Sequence, residues 1–348
     1  MKYLILTLTT LFLISCQKKE EFTFAGIKPS EIDSLKTEAQ IEAYIHATDT
    51  TLKEFELKDY SLVRTFQFPG LDSINSIYAK KLGVTKTFYK EDFNNDGYTD
   101  ILVTGGWKMS NKDIGPFHFD ALVILNGGKA KATITSIQKD FNYAFVPQTK
   151  KTDSLPLLIL HYPQRYDTIY PPRPDSVQIK LIYKSGSFVE YMKKPAKRHA
   201  IEKIEFSTGD CESCPVFQMI LNNTGDSWFI ALENNFEKIK RKEGCFKTRI
   251  DKTAFEDLSS LLNYIDFENL REDYCIFNTG PPHAVFKITY DGGKIKYIYD
   301  CGGGGTYGLT AAYEKIKQLR FTQEWKSIKE PNGIRLSMPE MRTRWKRD

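Results

Sequence analysis

Val285-Phe286-Lys287-Ile288-Thr289-Tyr290-Asp291-Gly292-Gly293-Lys294-Ile295-Lys296-Tyr297-Ile298-Tyr299 sets the architecture of the second half of the chain. Apolar and polar side chains alternate on both sides of Asp291-Gly292-Gly293, the pattern of two antiparallel strands joined by a tight turn. The run Gly302–Gly305 follows, and a helical pattern then extends from Leu309 to Leu319. Upstream, Phe255, Leu258, Leu261 and Leu262 mark one face of a helix over Ala254–Tyr264. Strands are expected at Ile201–Phe206, Val216–Leu221 and Trp228–Leu232, with Asn223-Thr224-Gly225-Asp226 turning the last two. An antiparallel sheet with two helices on one face accounts for this order, an α+β domain.

Working outward toward the N-terminus, Lys193-Lys194-Pro195-Ala196-Lys197-Arg198 has the composition of a linker. It separates an expected β-rich domain, 30–192, from the α+β domain, 201–325, with 193–200 as the connection and 326–348 as a basic tail. The first domain opens with a helix: Thr37 and Gln40 stand at capping-box spacing, and Ile41, Tyr44, Ile45, Leu52 and Phe55 recur at helical intervals. Strands follow at Leu62–Phe68, Asp100–Thr104, Phe117–Leu125, Ala132–Ile137 and Leu155–Leu160. Val177–Tyr183 and Phe188–Met192 read as a hairpin through Ser185-Gly186-Ser187, and Pro171-Pro172-Arg173-Pro174 as a loop. The expected fold class is mixed: a mostly-β domain with a leading helix, then the α+β domain.

With 348 residues, 41% apolar, the chain is long enough for about two domains, each able to bury a core. The formal charge of +5 is too mild to argue for nucleic acid. Residues 1–16 combine a cationic start, an apolar run and Leu13-Ile14-Ser15-Cys16. The run is short for a membrane-spanning helix, which needs about 20 apolar residues. It resembles a bacterial lipoprotein signal with its lipobox, which implies a signal peptide at 1–15, lipidation at Cys16 and a tether over 16–29. Gln17 after the cysteine implies the outer membrane by the same resemblance. Lys18-Lys19-Glu20-Glu21 reads either as a surface-export signal or as a solvated tether, so the periplasmic and cell-surface faces both remain open.

Asp92-Phe93-Asn94-Asn95-Asp96-Gly97-Tyr98-Thr99-Asp100 is the sharpest chemical motif. Side-chain oxygens recur at Asp92, Asn94, Asp96 and Asp100, Gly97 sits where the backbone must turn, and Tyr98 is placed to offer its carbonyl. Such a set suits calcium, which takes 6–8 oxygen ligands. An EF-hand would carry Glu at loop position twelve, where this chain has Val103. The loop running directly into an apolar strand resembles that of FG-GAP/VCBS-type repeats. By that resemblance Asp92, Asn94, Asp96, Tyr98 and Asp100 are calcium ligands and the ion is structural. The motif occurs once, whereas a propeller needs several blades.

Five cysteines besides Cys16 lie in the second half: Cys211, Cys214, Cys245, Cys275 and Cys301. Outside the cytoplasm they suit disulfides, and an odd number leaves one thiol over. Cys211-Glu212-Ser213-Cys214-Pro215 also permits a redox pair, although Pro215 and the alternation that follows predict a strand rather than the helix that activates a thiolate. Zinc would need a second close pair of ligands. The order of features over 201–320 resembles an uncharacterised domain family of bacterial lipoproteins, which implies a fold and no activity. The glycine run lacks the Gly-Lys-Ser/Thr ending of a phosphate loop, and no catalytic triad, elbow or HExxH spacing is present. No catalytic residue is therefore assigned. The expected role is non-enzymatic binding of an envelope protein or glycan by a lipid-anchored protein carrying structural calcium. The alternative is an extracytoplasmic thiol–disulfide protein using Cys211 and Cys214.

Overall fold

The computed structural model describes residues 28–59, 69–108, 117–128, 131–137, 145–152, 155–162, 177–209, 214–237, 240–241, 243–275, 283–301 and 303–329. Two short helices, α1 (Glu31–Ser34) and α2 (Glu38–Thr48), open the fold. Thr37 accepts the Gln40 amide and Gln40 reaches back to the Thr37 amide, the expected capping box. The helix stops at Thr48, short of Phe55, which belongs instead to β1 (Phe55–Leu57). Next comes α3 (Pro69–Leu82), absent from the strand-dominated expectation for this region. Its start uses Pro69, whose fixed φ and missing N–H suit a first helical turn. Ala79 with Val84 packs on Val146.

The first sheet contains β1, β2 (Phe88–Glu91), β3 (Asp100–Lys108), β4 (Phe117–Leu125) and β5 (Thr133–Ser136). β1 and β2 share one side of β3: Phe55 faces Trp107 in register, and Phe88 faces Val103. The second sheet is the antiparallel meander β6 (Val146–Lys151), β7 (Pro156–Tyr162), β8 (Val177–Lys184) and β9 (Ser187–Glu190). The expected strand Leu62–Phe68 lies outside the described residues, and β6 had no counterpart in the sequence reading.

The third sheet is larger. It is built from β10 (Ile201–Gly209), β11 (Val216–Asn222), β12 (Ser227–Glu233), β15 (Gly244–Thr248), β16 (His283–Tyr290), β17 (Lys294–Cys301) and β18 (Lys326–Ile328). Their order is β17-β16-β10-β11-β12-β15-β18, antiparallel throughout. Between β12 and β15 the chain leaves this sheet as a separate hairpin, β13 (Phe236–Glu237) with β14 (Lys240–Arg241). The start of the expected basic tail thus supplies an edge strand. Helices α4 (Lys252–Tyr264) and α5 (Tyr307–Thr322) pack on one face. The β16–β17 turn places Asp291, Gly292 and Gly293 at φ 46°, 79° and 95°, a left-handed run that two glycines and an aspartate tolerate.

Strand parity stacks these layers. In β3 and β4, Ile101, Val103, Leu122 and Ile124 face Ile32, Ile41 and Ile45 of the opening helices. Leu102, Ala121, Val123 and Leu125 face the second sheet, where they meet Leu158, Leu160, Leu181 and Phe188. The alternate residues of that sheet, Leu157, Ile159, Ile182 and Val189, join Leu258, Leu261, Leu309 and Ile316 of α4 and α5 in the largest core. Phe206, Phe217 and Phe286 of the third sheet close that core from the far side. The fold is mixed α+β, layered as helices, sheet, sheet, helices, sheet. Residues 191–200 connect β9 to β10, and one core takes residues from both sides of this connection.

Candidate functional site

The acidic loop connects β2 to β3 as a hairpin turn, with Glu91 opposite Asp100. Asn95 at φ 57° and Gly97 at φ 90° reverse the chain. Both oxygens of each carboxylate are engaged. Asp92 accepts the Asp96 amide at 3.1 Å and the Gly97 amide at 2.9 Å. Asp96 accepts the Tyr98 amide at 2.8 Å and the Asn94 side-chain amide at 3.0 Å, while Asn94 Oδ1 accepts the Asp96 amide at 3.1 Å. Asp100, fully buried, accepts the Phe93 amide at 2.8 Å and the Asn126 amide at 2.7 Å.

Burial pushes the Asp100 carboxyl up to about 7, with Asp96 and Asp92 adding repulsion. Burial raises Asp92 as well. Among the described residues, no salt bridge reaches any of the three carboxylates. The nearby Lys28 ammonium goes instead to the Asp96 carbonyl at 2.6 Å and over the Tyr98 ring at 4.7 Å. Lys28 also pairs with Tyr98 as a parallel bridge, and Thr99 donates to Asp33 at 2.6 Å. A Cβ on Gly128 would lie 2.4 Å from the Tyr98 ring, so only glycine lets the turn after β4 approach the loop this closely.

The donor types fit an oxygen-seeking ion. Each carboxylate oxygen has a second lone-pair site beyond its amide contact, and a cation would hold Asp100 ionised. Among the described residues, no three His, Cys, Asp or Glu side chains are gathered for a metal, so the loop in this conformation is organised by its own amides.

The cysteines divide differently. Cys275 and Cys301 form a disulfide with their Cα atoms 4.6 Å apart. It fixes a short segment along the edge of β17, where Tyr274 N donates to Tyr299 O at 2.9 Å and Tyr299 N to Glu272 O at 2.8 Å. His283, opposite Cys301 in register, shares a 3.0 Å hydrogen bond with the Tyr299 hydroxyl. Cys214 is disulfide-bonded. Cys211 and Cys16 are both outside the described residues. Cys245 departs from the disulfide or redox expectation: it is a buried thiol in β15 opposite Ile230. Five strand spacings separate β15 from β17, about 24 Å, far beyond the Cα separation that a disulfide tolerates.

Two arrangements escaped the sequence reading. The start of α5, after the glycine run, is filled by the chain's own Glu190, which accepts the Tyr307 amide at 2.6 Å and the Gly308 amide at 2.8 Å. Thr306 caps Leu309, and Asp300 accepts the Gly305 amide at 3.2 Å. The turn therefore binds a carboxylate where a phosphate loop would bind phosphate. The second arrangement is a buried junction around His199. Its Nδ1 lies 2.7 Å from Asp291, whose carboxyl this hydrogen bond holds below the usual range, and its Nε2 lies 3.0 Å from Glu268. His199 N donates to Asn263 at 2.7 Å, and Tyr290 donates to Glu268 at 3.1 Å. Asp291 was legible only as a turn residue, and nothing local in the sequence linked it to His199.

Residues 202–320 are similar to a family described as a domain of unknown function, DUF6438. No curated protein and no solved structure matches the chain. The family match spans the third sheet from the second residue of β10 through Arg320 of α5, together with both disulfide-bearing stretches, and supplies no activity.

Proposed function

We propose that this is a lipid-anchored envelope protein that binds a macromolecular partner, an envelope protein or a glycan, and uses calcium as a structural ion. The observation that carries the calcium reading is the loop Asp92–Asp100. Its three carboxylates, Asn94 and the Tyr98 carbonyl stand on one tight turn, and no cation of the described chain neutralises the carboxylates. Asp92, Asn94, Asp96 and Asp100 would contribute side-chain oxygens. The ion would fix the entry of β3, which carries core residues on both faces. The lipid anchor rests on the Cys16 lipobox and places the protein at the outer membrane, on its periplasmic or cell-surface face.

Calcium-dependent melting tests the first element. Micromolar to millimolar calcium, the range spanned by sensors and extracellular modules, should raise the melting temperature, and Asp96→Ala should abolish the rise. An unchanged curve in calcium and in chelator identifies the loop as a turn alone. Metabolic labelling with a fatty acid tests the anchor, since label at Cys16 should vanish in Cys16→Ser. The thiol–disulfide alternative draws on the bonded state of Cys214, which a structural bridge explains equally. Thiol titration by mass spectrometry separates the two: a Cys211–Cys214 couple that cycles with a mild reductant supports the redox reading, and a bridge that persists supports a structural role.

A further inference from the structure

We propose that the free edge of β17, from Lys294 to Tyr297, takes up an extended segment of a partner protein in which carboxylate and apolar side chains alternate. The proposal rests on the partner-binding reading above and narrows it to a protein strand. Tyr299 N donates to the Glu272 carbonyl at 2.8 Å and Tyr299 O accepts the Tyr274 amide at 2.9 Å, so both groups point away from β16. The β16–β17 ladder runs without a register shift, and peptide groups alternate sides along such a strand. The N–H and C=O of Ile295 and Tyr297 therefore point the same way as those of Tyr299. Among the described residues no backbone hydrogen bond reaches them from that side. The segment that covers Tyr299 does not extend to them: Leu270 packs toward the core under the helix face and offers its carbonyl to the Lys296 ammonium at 2.6 Å.

The side chains beside this edge select its occupant. Ile295 and Tyr297 are 50% and 47% exposed on the sheet face away from α4 and α5, an apolar strip. Lys294 and Lys296 alternate with them on the other face. Lys294 lies 5.9 Å from the Tyr290 ring centre and Lys296 on the Leu270 carbonyl, and among the described residues no salt bridge reaches either ammonium. The carboxylates nearby are engaged: Asp291 and Glu268 by His199, Glu205 by Lys203 and Lys287, Glu202 by the Gly292 amide and Asp273 by the Cys275 amide. Glu272 stands past this stretch, at the level of Tyr299, beside the exposed Arg271. Lysines on an edge oppose pairing with a second copy of that edge, where like charges would meet. They favour a strand with carboxylates on the lysine face and apolar residues on the other, its backbone satisfying the outward N–H and C=O groups.

Amide hydrogen exchange on the full Cys16→Ser chain in chelator tests this independently of lipid and calcium. The probe is a short synthetic peptide alternating Glu and Val. It should slow exchange of the Ile295 and Tyr297 amides, whereas a block-ordered peptide of the same composition and a backbone N-methylated one should not. Lys294→Glu should weaken binding about fivefold, and high salt should weaken it as well. Ile295→Ser with Tyr297→Ser should weaken it at unchanged charge, and both variants should keep the parent melting temperature. No slowing at the two amides, equal slowing by either control peptide, or slowing that arises from dimerisation of the chain overturns the proposal. A soluble envelope glycan that binds while these amides stay unprotected, with the peptide inert, also overturns it but leaves the partner-binding reading standing.

Discussion

Tyr307 begins α5, yet its hydroxyl donates to the Ile137 carbonyl at 2.9 Å and lies 3.0 Å from the Tyr162 hydroxyl. Its ring belongs to the core between the first two sheets, and its amide to Glu190. One side chain thus joins three layers. Burial raises its phenol well above the ordinary value, so it remains a donor across the working pH range. Tyr307→Phe leaves the Ile137 carbonyl without this donor and should cost about 1–2 kcal/mol in urea unfolding. At His161 the decisive quantity is pH. Burial lowers its imidazole pKa from the ordinary 6.5, between Gln148 at 3.2 Å and Gln178 at 3.4 Å. The folded state therefore holds it neutral while the unfolded chain takes up a proton first. Its contribution is present above about pH 6.5 and is lost as pH falls below that value. Urea midpoints should drop on acidification, and His161→Gln should flatten that slope.

Among the elements, β7 has no solvent face. Leu158 and Leu160 are fully buried toward the first sheet, and Leu157 and Ile159 are buried toward the helices. Leu158→Ala and Ile159→Ala should each cost about 2–5 kcal/mol, measured by chemical denaturation, although they point in opposite directions. A strand exposed on one side would tolerate one of the two. The run Leu157-Leu158-Ile159-Leu160 already carries this in the sequence, because unbroken apolar residues in a strand mean burial on both faces. The hairpin β16–β17 and the α4 face were legible for a related reason: strict alternation, turn glycines and helical spacing are local codes. The helix α3 was hidden by Pro69-Gly70, which reads as a turn when seen alone, and β15 by its short length among basic residues. At the acidic loop the residue types were legible. The burial of Asp100 and the pairing of Lys28 with Tyr98 were not, because both depend on chain segments far apart in sequence.

At the scale of the molecule, the second sheet serves two cores and ties the 202–320 segment to what precedes it. Calorimetry should show one cooperative transition, with the measured enthalpy equal to the van't Hoff value; two resolved transitions would mean the layers melt separately. No helix among the described residues is long and apolar enough to cross a membrane. The shared sheet also bears on how the 202–320 segment could travel between proteins. The α4–α5 pair is covered on one side by its own sheet and on the other by Leu157, Ile159, Ile182 and Val189, which lie outside that segment. A host that inherits the segment inherits an uncovered apolar helix face and must bring a lid for it. Swapping experiments that graft 202–320 alone should yield sticky, self-associating chains, and including β6–β9 should cure them.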